Sequence, residues 1–176
     1  MASVNTMYRA KKAASLANPT SASTFVQSDD STKAAAVYFP VLDSGVTSAM
    51  FGFRARGRCT TIGAHNITPK VSYGVSVTAG SNTIIAAATA RAGATNTATW
   101  SIEGILIWNS TLKSLQGKFT ALNGSTIVQD AWAVLTAVPT SVDLTTSGLG
   151  LSVEITVATG GAGTLGYLDE FVMEVL

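Results

Sequence analysis

From Ala35 to Leu176 hydrophobic and polar residues alternate with a period of two, run after run. Successive strand side chains point to opposite faces, so such runs predict half-buried β-strands. The clearest run sets Leu149, Leu151, Val153, Ile155 and Val157 against Gly150, Ser152, Glu154 and Thr156. The last sets Phe171, Met173 and Val175 against Glu170, Val172 and Glu174. Gly160-Gly161-Ala162-Gly163 between them predicts a hairpin turn. Earlier strands are expected over Ala36–Leu42, with Pro40 at an edge or bulge, and over Ala49–Cys59. A third is expected with Val71, Tyr73, Val75 and Val77 facing inward. Thr83–Ala90, Thr99–Trp108, Leu112–Leu122 and Thr126–Val138 complete the set, with Asn123-Gly124 as a hairpin signal between the last two.

About eight strands with turn residues between them predict an all-β fold, an antiparallel jelly-roll-like sandwich. Residues Met1 to Ser28 differ: they are rich in Ala, Ser, Thr and Asn and show no alternation. Asn5–Ala17 could wind into a short helix with Met7, Ala10, Ala14 and Ala17 on one side, stopped at Asn18-Pro19. So short a helix is marginal alone in water, and residues 1–28 read as an arm that orders only against something else. Residues 29–176 form the sandwich domain.

Composition sharpens this. Charged residues make up 12% of the chain, about half the usual share, and mean hydropathy is +0.34. No apolar run reaches the roughly 18–20 residues that span a bilayer, and no signal-peptide core follows Arg9, Lys11 and Lys12. The expectation is a soluble, unsecreted chain whose surface is partly covered by other subunits, because interface cores are depleted in charge. Net charge is +1, and basic residues interleaved with aromatics are absent, so neither nucleic acid nor membrane is an expected partner.

The chain holds one cysteine and one histidine. Cys59 continues the apolar face of its strand and reads as a core residue, while His65 lies in a turn-like Gly63-Ala64-His65-Asn66. A His/Cys metal cluster is ruled out by that count. No phosphate loop occurs, and Asp29-Asp30 lacks the calcium-loop pattern. Glu103, Glu154, Glu170 and Glu174 are expected on outer strand faces, with nothing to bring a catalytic pair together. No enzyme, cofactor or metal is expected. Trp100 and Trp108 share parity with Ile102 and Leu106 and read as packing residues.

The interaction candidates are few. Arg54, Arg56 and Arg58 project from one face of one strand, where their mutual repulsion calls for facing carboxylates. Ile105 and Ile107 lie opposite in parity to Leu106 and Trp108, which makes that strand apolar on both faces and offers an oligomer interface. Met7, Tyr8, Arg9, Lys11 and Lys12 of the arm are the remaining partner-binding candidates.

The order of elements resembles the small jelly-roll structural proteins of tailed bacteriophages, the capsid decoration or cement proteins. The resemblance rests on Phe51-Gly52-Phe53-Arg54-Ala55-Arg56-Gly57, Trp100-Ser101-Ile102-Glu103-Gly104-Ile105-Leu106 and Val142-Asp143-Leu144-Thr145-Thr146. It continues through Leu149-Gly150-Leu151-Ser152-Val153 and the closing Leu168–Leu176. It covers roughly Ser21 to Leu176 and leaves out the basic leader. It implies a subunit made in the host cytoplasm that assembles as a homotrimer and binds the major capsid protein on the outer surface of the virion. A tail-fibre or receptor-binding domain that recognises a host glycan is one alternative, and a carbohydrate-active enzyme or lectin domain, which predicts convergent carboxylates or a calcium site, is another.

Overall fold

The computed structural model describes residues 7–9, 15–17, 23–25, 33–60, 66–78, 80–88, 90–92, 98–123, 126–129, 133–134, 142–157 and 165–176. In chain order the strands are β1 (Met7–Arg9), β2 (Ser15–Ala17), β3 (Ser23–Thr24), β4 (Ala36–Phe39), β5 (Ser48–Thr60), β6 (Asn66–Tyr73) and β7 (Thr83–Ala87). There follow β8 (Arg91–Ala92), β9 (Ala98–Asn109), β10 (Ser114–Asn123), β11 (Thr126–Gln129), β12 (Ala133–Val134), β13 (Leu149–Val157) and β14 (Leu165–Val175). They form two antiparallel sheets, and no helix occurs among the described residues.

The larger sheet runs β1-β14-β5-β9-β10-β11, with β2 also on β14 and β12 on β10. The smaller runs β3-β13-β6-β7, with β4 also on β13 and β8 on β6. The chain is therefore an all-β, jelly-roll-like sandwich. Between the sheets Phe51, Phe53, Ala55, Ile102, Leu106, Trp108 and Met173 pack against Leu149, Leu151, Val153, Ile155 and Val71, all nearly without solvent contact. Each large side chain buried this way contributes roughly 1.5–3 kcal/mol. Trp108 also satisfies its polar atom: its indole N–H donates to the carbonyl of Val142 at 2.7 Å. Cys59 lies in this core at 2% exposure, and burial pushes its thiol up to about 12, so it is a packing residue.

Several expectations need correction. Met7–Arg9 and Ser15–Ala17 are not helical; both pair with β14. Strand pairing there covers an edge whose N–H and C=O groups would otherwise be left open, a gain that a marginal helix cannot match. β13 and β14 are not a hairpin either, because they sit in opposite sheets. Each has one strongly apolar face, and the sandwich buries both by setting those faces toward each other. The third strand ends at Tyr73, so Val75 and Val77 are exposed and not inward. Gly74 turns the chain with φ of 117°, and an added Cβ would stand 2.5 Å from Asn82 Oδ1.

Glu154 lies on the outer face of the smaller sheet as expected, yet it is only 2% exposed. Residues 74–78 and 80–82 fold back there. Asn82 Nδ2 donates to Glu154 Oε1 at 3.1 Å and to the carbonyl of Ser76, and Asn82 Oδ1 accepts the Ser76 N–H. A carboxylate sensed as a surface group from parity alone is thus buried by a loop. His65, Gly124, Asp29, Asp30, Trp132 and the Gly160–Gly163 link lie outside the described residues.

Candidate functional site

The outer face of the larger sheet is built by the central four strands, β14, β5, β9 and β10. Antiparallel register sets their outward residues in cross-strand rows. One row reads Glu174, Gly52, Ile105, Lys118. The next reads Val172, Arg54, Glu103, Thr120, and the third Glu170, Arg56, Ser101, Leu122. Toward one end lie Met50, Ile107 and Gln116, with Leu176 bonded through its N–H to the Met50 carbonyl.

A groove of about 610 Å³ opens over the first two rows. Gly52 is its floor, because a glycine leaves the row without a side chain there. Arg54, Glu103, Ile105, Lys118, Thr120 and Glu174 are among its walls. A second depression, of about 460 Å³, lies over Gly57 between Arg56, Arg58, Thr99, Ser101, Asp169 and Glu170.

The arginine stripe meets its carboxylates within the chain. Arg54 donates from Nε and Nη2 to the two oxygens of Glu170 at 3.0 and 2.9 Å, a bidentate pair. Arg58 does the same with Asp169 at 2.9 Å for each closest contact, and its guanidinium lies 5.0 Å from the Tyr167 ring centroid. Both guanidinium groups titrate above their ordinary value, first because of these hydrogen bonds. Glu103 and Glu174 add further negative potential at Arg54. Arg56 is exposed and makes no ion pair among the described residues.

Asp169 was not foreseen. Strict alternation puts it on the inner side with Phe171, but the register shifts between Leu168 and Glu170. This β-bulge switches the parity, so Leu168 and Phe171 both stay inside while Asp169 and Glu170 both turn outward. The adjacent acids in an otherwise alternating run were the available signal.

Ile105 and Ile107 are half-buried on this outer face, beside the arginines. Met7, Tyr8 and Arg9 pair through their backbone with Glu174, Met173 and Val172, next to the same face. Lys11 and Lys12 lie outside the described residues. No group of three or more His, Cys, Asp and Glu side chains able to hold a metal occurs among the described residues.

No protein-family model and no curated protein matches the chain. Among solved structures it is similar to arcelin-5, a lectin-like defense protein from Phaseolus vulgaris, at 9% identity over 99% of each chain with a TM-score of 0.41. It is similar to the Lotus tetragonolobus seed lectin at 10% identity over 98% of each chain, with a TM-score of 0.43. The CBM2 module of the evolved Dit of Lactobacillus casei BL23 phage J-1 is similar at 9% identity over 97% of each chain, with a TM-score of 0.35. The class of the fold, a jelly-roll-like sandwich, follows from the register of its own sheets.

Proposed function

We propose that this chain is a bacteriophage capsid decoration protein, a passive clamp that binds the assembled major-capsid lattice on the outside of the head as a homo-oligomer. The observation that carries the reading is the outer face of the larger sheet. Arg54 and Arg58 are held in place by bidentate pairs, the charges of the face are of both signs, and half-buried isoleucines stand among them. Such a face is preorganised for contact, so little side-chain freedom is lost on docking. The arm residues Met7, Tyr8 and Arg9 flank it and extend the contact surface. A ligand that binds the lattice and not its separate parts stabilises the lattice by mass action.

The test is to add the protein to undecorated heads and follow co-sedimentation and heat release of DNA. Binding is expected to saturate, to raise the temperature of DNA release, and to fall when Arg54, Arg56 and Arg58 are replaced together by Ser. Absence of any binding to heads, with saturable binding to a host-surface glycan, would put the receptor-binding alternative in its place.

A further inference from the structure

We propose that the outer face of the larger sheet pairs with the same face of a second copy of this chain, about a two-fold axis that runs parallel to the strands between β5 and β9. Rotation about such an axis keeps each row in place and reverses its order. The row Glu174, Gly52, Ile105, Lys118 then meets its own reverse. Glu174, whose Cγ and Oε1 lie 3.2 Å from where a Cβ of Gly52 would stand, faces Lys118 of the second copy, and Ile105 enters the groove beside it. The next row, Val172, Arg54, Glu103, Thr120, also reads correctly in reverse, because Arg54 faces Glu103, while Val172 is already buried within the chain. Met50 and Ile107 face each other one row further on.

Charge fixes the choice of axis. Across these rows the cations are Arg54, Arg56 and Lys118, and the anions Glu103, Glu170 and Glu174. A two-fold axis running across the strands would stack each strand on its own copy and set arginine against arginine along β5. Like charges so placed oppose association. The strand-parallel axis turns Arg54, Glu103, Glu174 and Lys118 into opposite-charge contacts and leaves Arg56 opposite Ser101 and Glu170 opposite Leu122; a two-fold contact demands this kind of self-complementarity. Arg54 can serve it without losing Glu170: its Nε and Nη2 hold Glu170, and Nη1 remains for Glu103 of the second copy.

The size is adequate. Four strands spaced about 4.8 Å apart, over some seven residues each, cover roughly 500 Å² per copy and ~1,000 Å² in all. That lies at the lower bound for a specific interface, so association in the micromolar range is expected. In the pair this face joins two copies of the chain, so within the proposed function it serves the homo-oligomer and the head meets the surfaces that remain; a two-fold pair, not a trimer, is then the first step of assembly.

Sedimentation equilibrium of the full chain from about 1 to 100 µM tests it, a range suited to an interface of this area. Wild type is expected to approach twice the chain mass of 18.0 kDa. K118E sets Glu against Glu174 at both symmetric contacts, and E174K sets Lys against Lys118. Each is expected to weaken association about tenfold per contact, roughly 100-fold in all. An equimolar mixture of the two variants restores opposite charges at every contact and is expected to recover the doubled mass. Ile105→Glu, which places a carboxylate beside the Glu174 carboxylate that leans over Gly52, is expected to remain monomeric, and it carries the same readout should either charge variant fail to fold by far-UV circular dichroism. A monomeric wild type at 100 µM, folded variants that keep the wild-type mass, or a trimer untouched by them would overturn the proposal. Loss of head binding by an intact dimer would instead count against the decoration reading alone.

Discussion

Replacing Gly57 by Ala is a severe test of how the arginine strand is seated. Gly57 lies on the inner face of β5, between Leu168 and Trp100 in the cross-strand row. A Cβ added there would stand 2.0 Å from the carbonyl oxygen of Tyr167 and 2.3 Å from Cζ2 of Trp100. The indole could tilt, but the carbonyl belongs to the backbone of β14 just before its bulge. Overpacking of a well-filled core costs about 1–3 kcal/mol, and a forced backbone shift puts this case at or above the upper end. At roughly 2–4 °C per kcal/mol for a chain of this size, Tm is expected to fall by about 6–12 °C. The strand shift would also draw Asp169 away from Arg58, so the damage reaches the outer face. Gly45→Ala is the control, because nothing lies within 4 Å of a Cβ there, and it is expected to change stability by no more than about 0.5 kcal/mol. Thermal unfolding followed by circular dichroism measures both. A G57A protein melting within about 2 °C of wild type, well below the shift just derived, would show that the row has slack and that the packing argument is wrong.

Further outcomes follow from the same contacts. The Asp143 carboxyl is held below the ordinary carboxylate range, first by the Thr145 hydroxyl and then by Lys113. A depressed folded-state pKa means that its stabilisation is present above the ordinary carboxylate pKa and lost as pH falls through the lowered value, so Asp143→Asn should flatten the acid limb of urea midpoints measured from pH 5 to 2. Cys59 should resist alkylation at pH 8 in the native protein and react once urea unfolds it; labelling at the rate of a free thiol would contradict its burial. Glu154→Ala removes the acceptor of Asn82 Nδ2 in a buried setting and should cost about 1–3 kcal/mol in chemical denaturation, whereas Glu154→Gln keeps an acceptor and should cost less. Equal losses for the two would mean that the carboxylate charge, which both variants lack, carries the contribution and not the hydrogen bond to Asn82.

Alternation along the chain was enough to specify most strands of the body, most of the inward set and the outward arginines, but not the end of β6 at Tyr73, which leaves Val75 and Val77 exposed. The side chains of β5, β9 and β13 fall on the faces their parity assigns, because a period of two is a local property of extended backbone. Parity says nothing about which strands become neighbours. That β14 lies beside β5, and so supplies Glu170 and Asp169 to Arg54 and Arg58, depends on contacts more than 110 residues apart in sequence. The bulge that turns Asp169 outward is a defect in the period, visible only once the partner strand is known. Glu154 shows the converse: its face was legible, but its burial depends on a loop that returns over the sheet through Asn82. The leader at Met7–Arg9 and Ser15–Ala17 carries no strand pattern of its own and takes its conformation from the open edge of β14. Local sequence thus determined which way each side chain points. Tertiary pairing decided what stands opposite it, since backbone hydrogen bonds join strands without regard to which residues they carry.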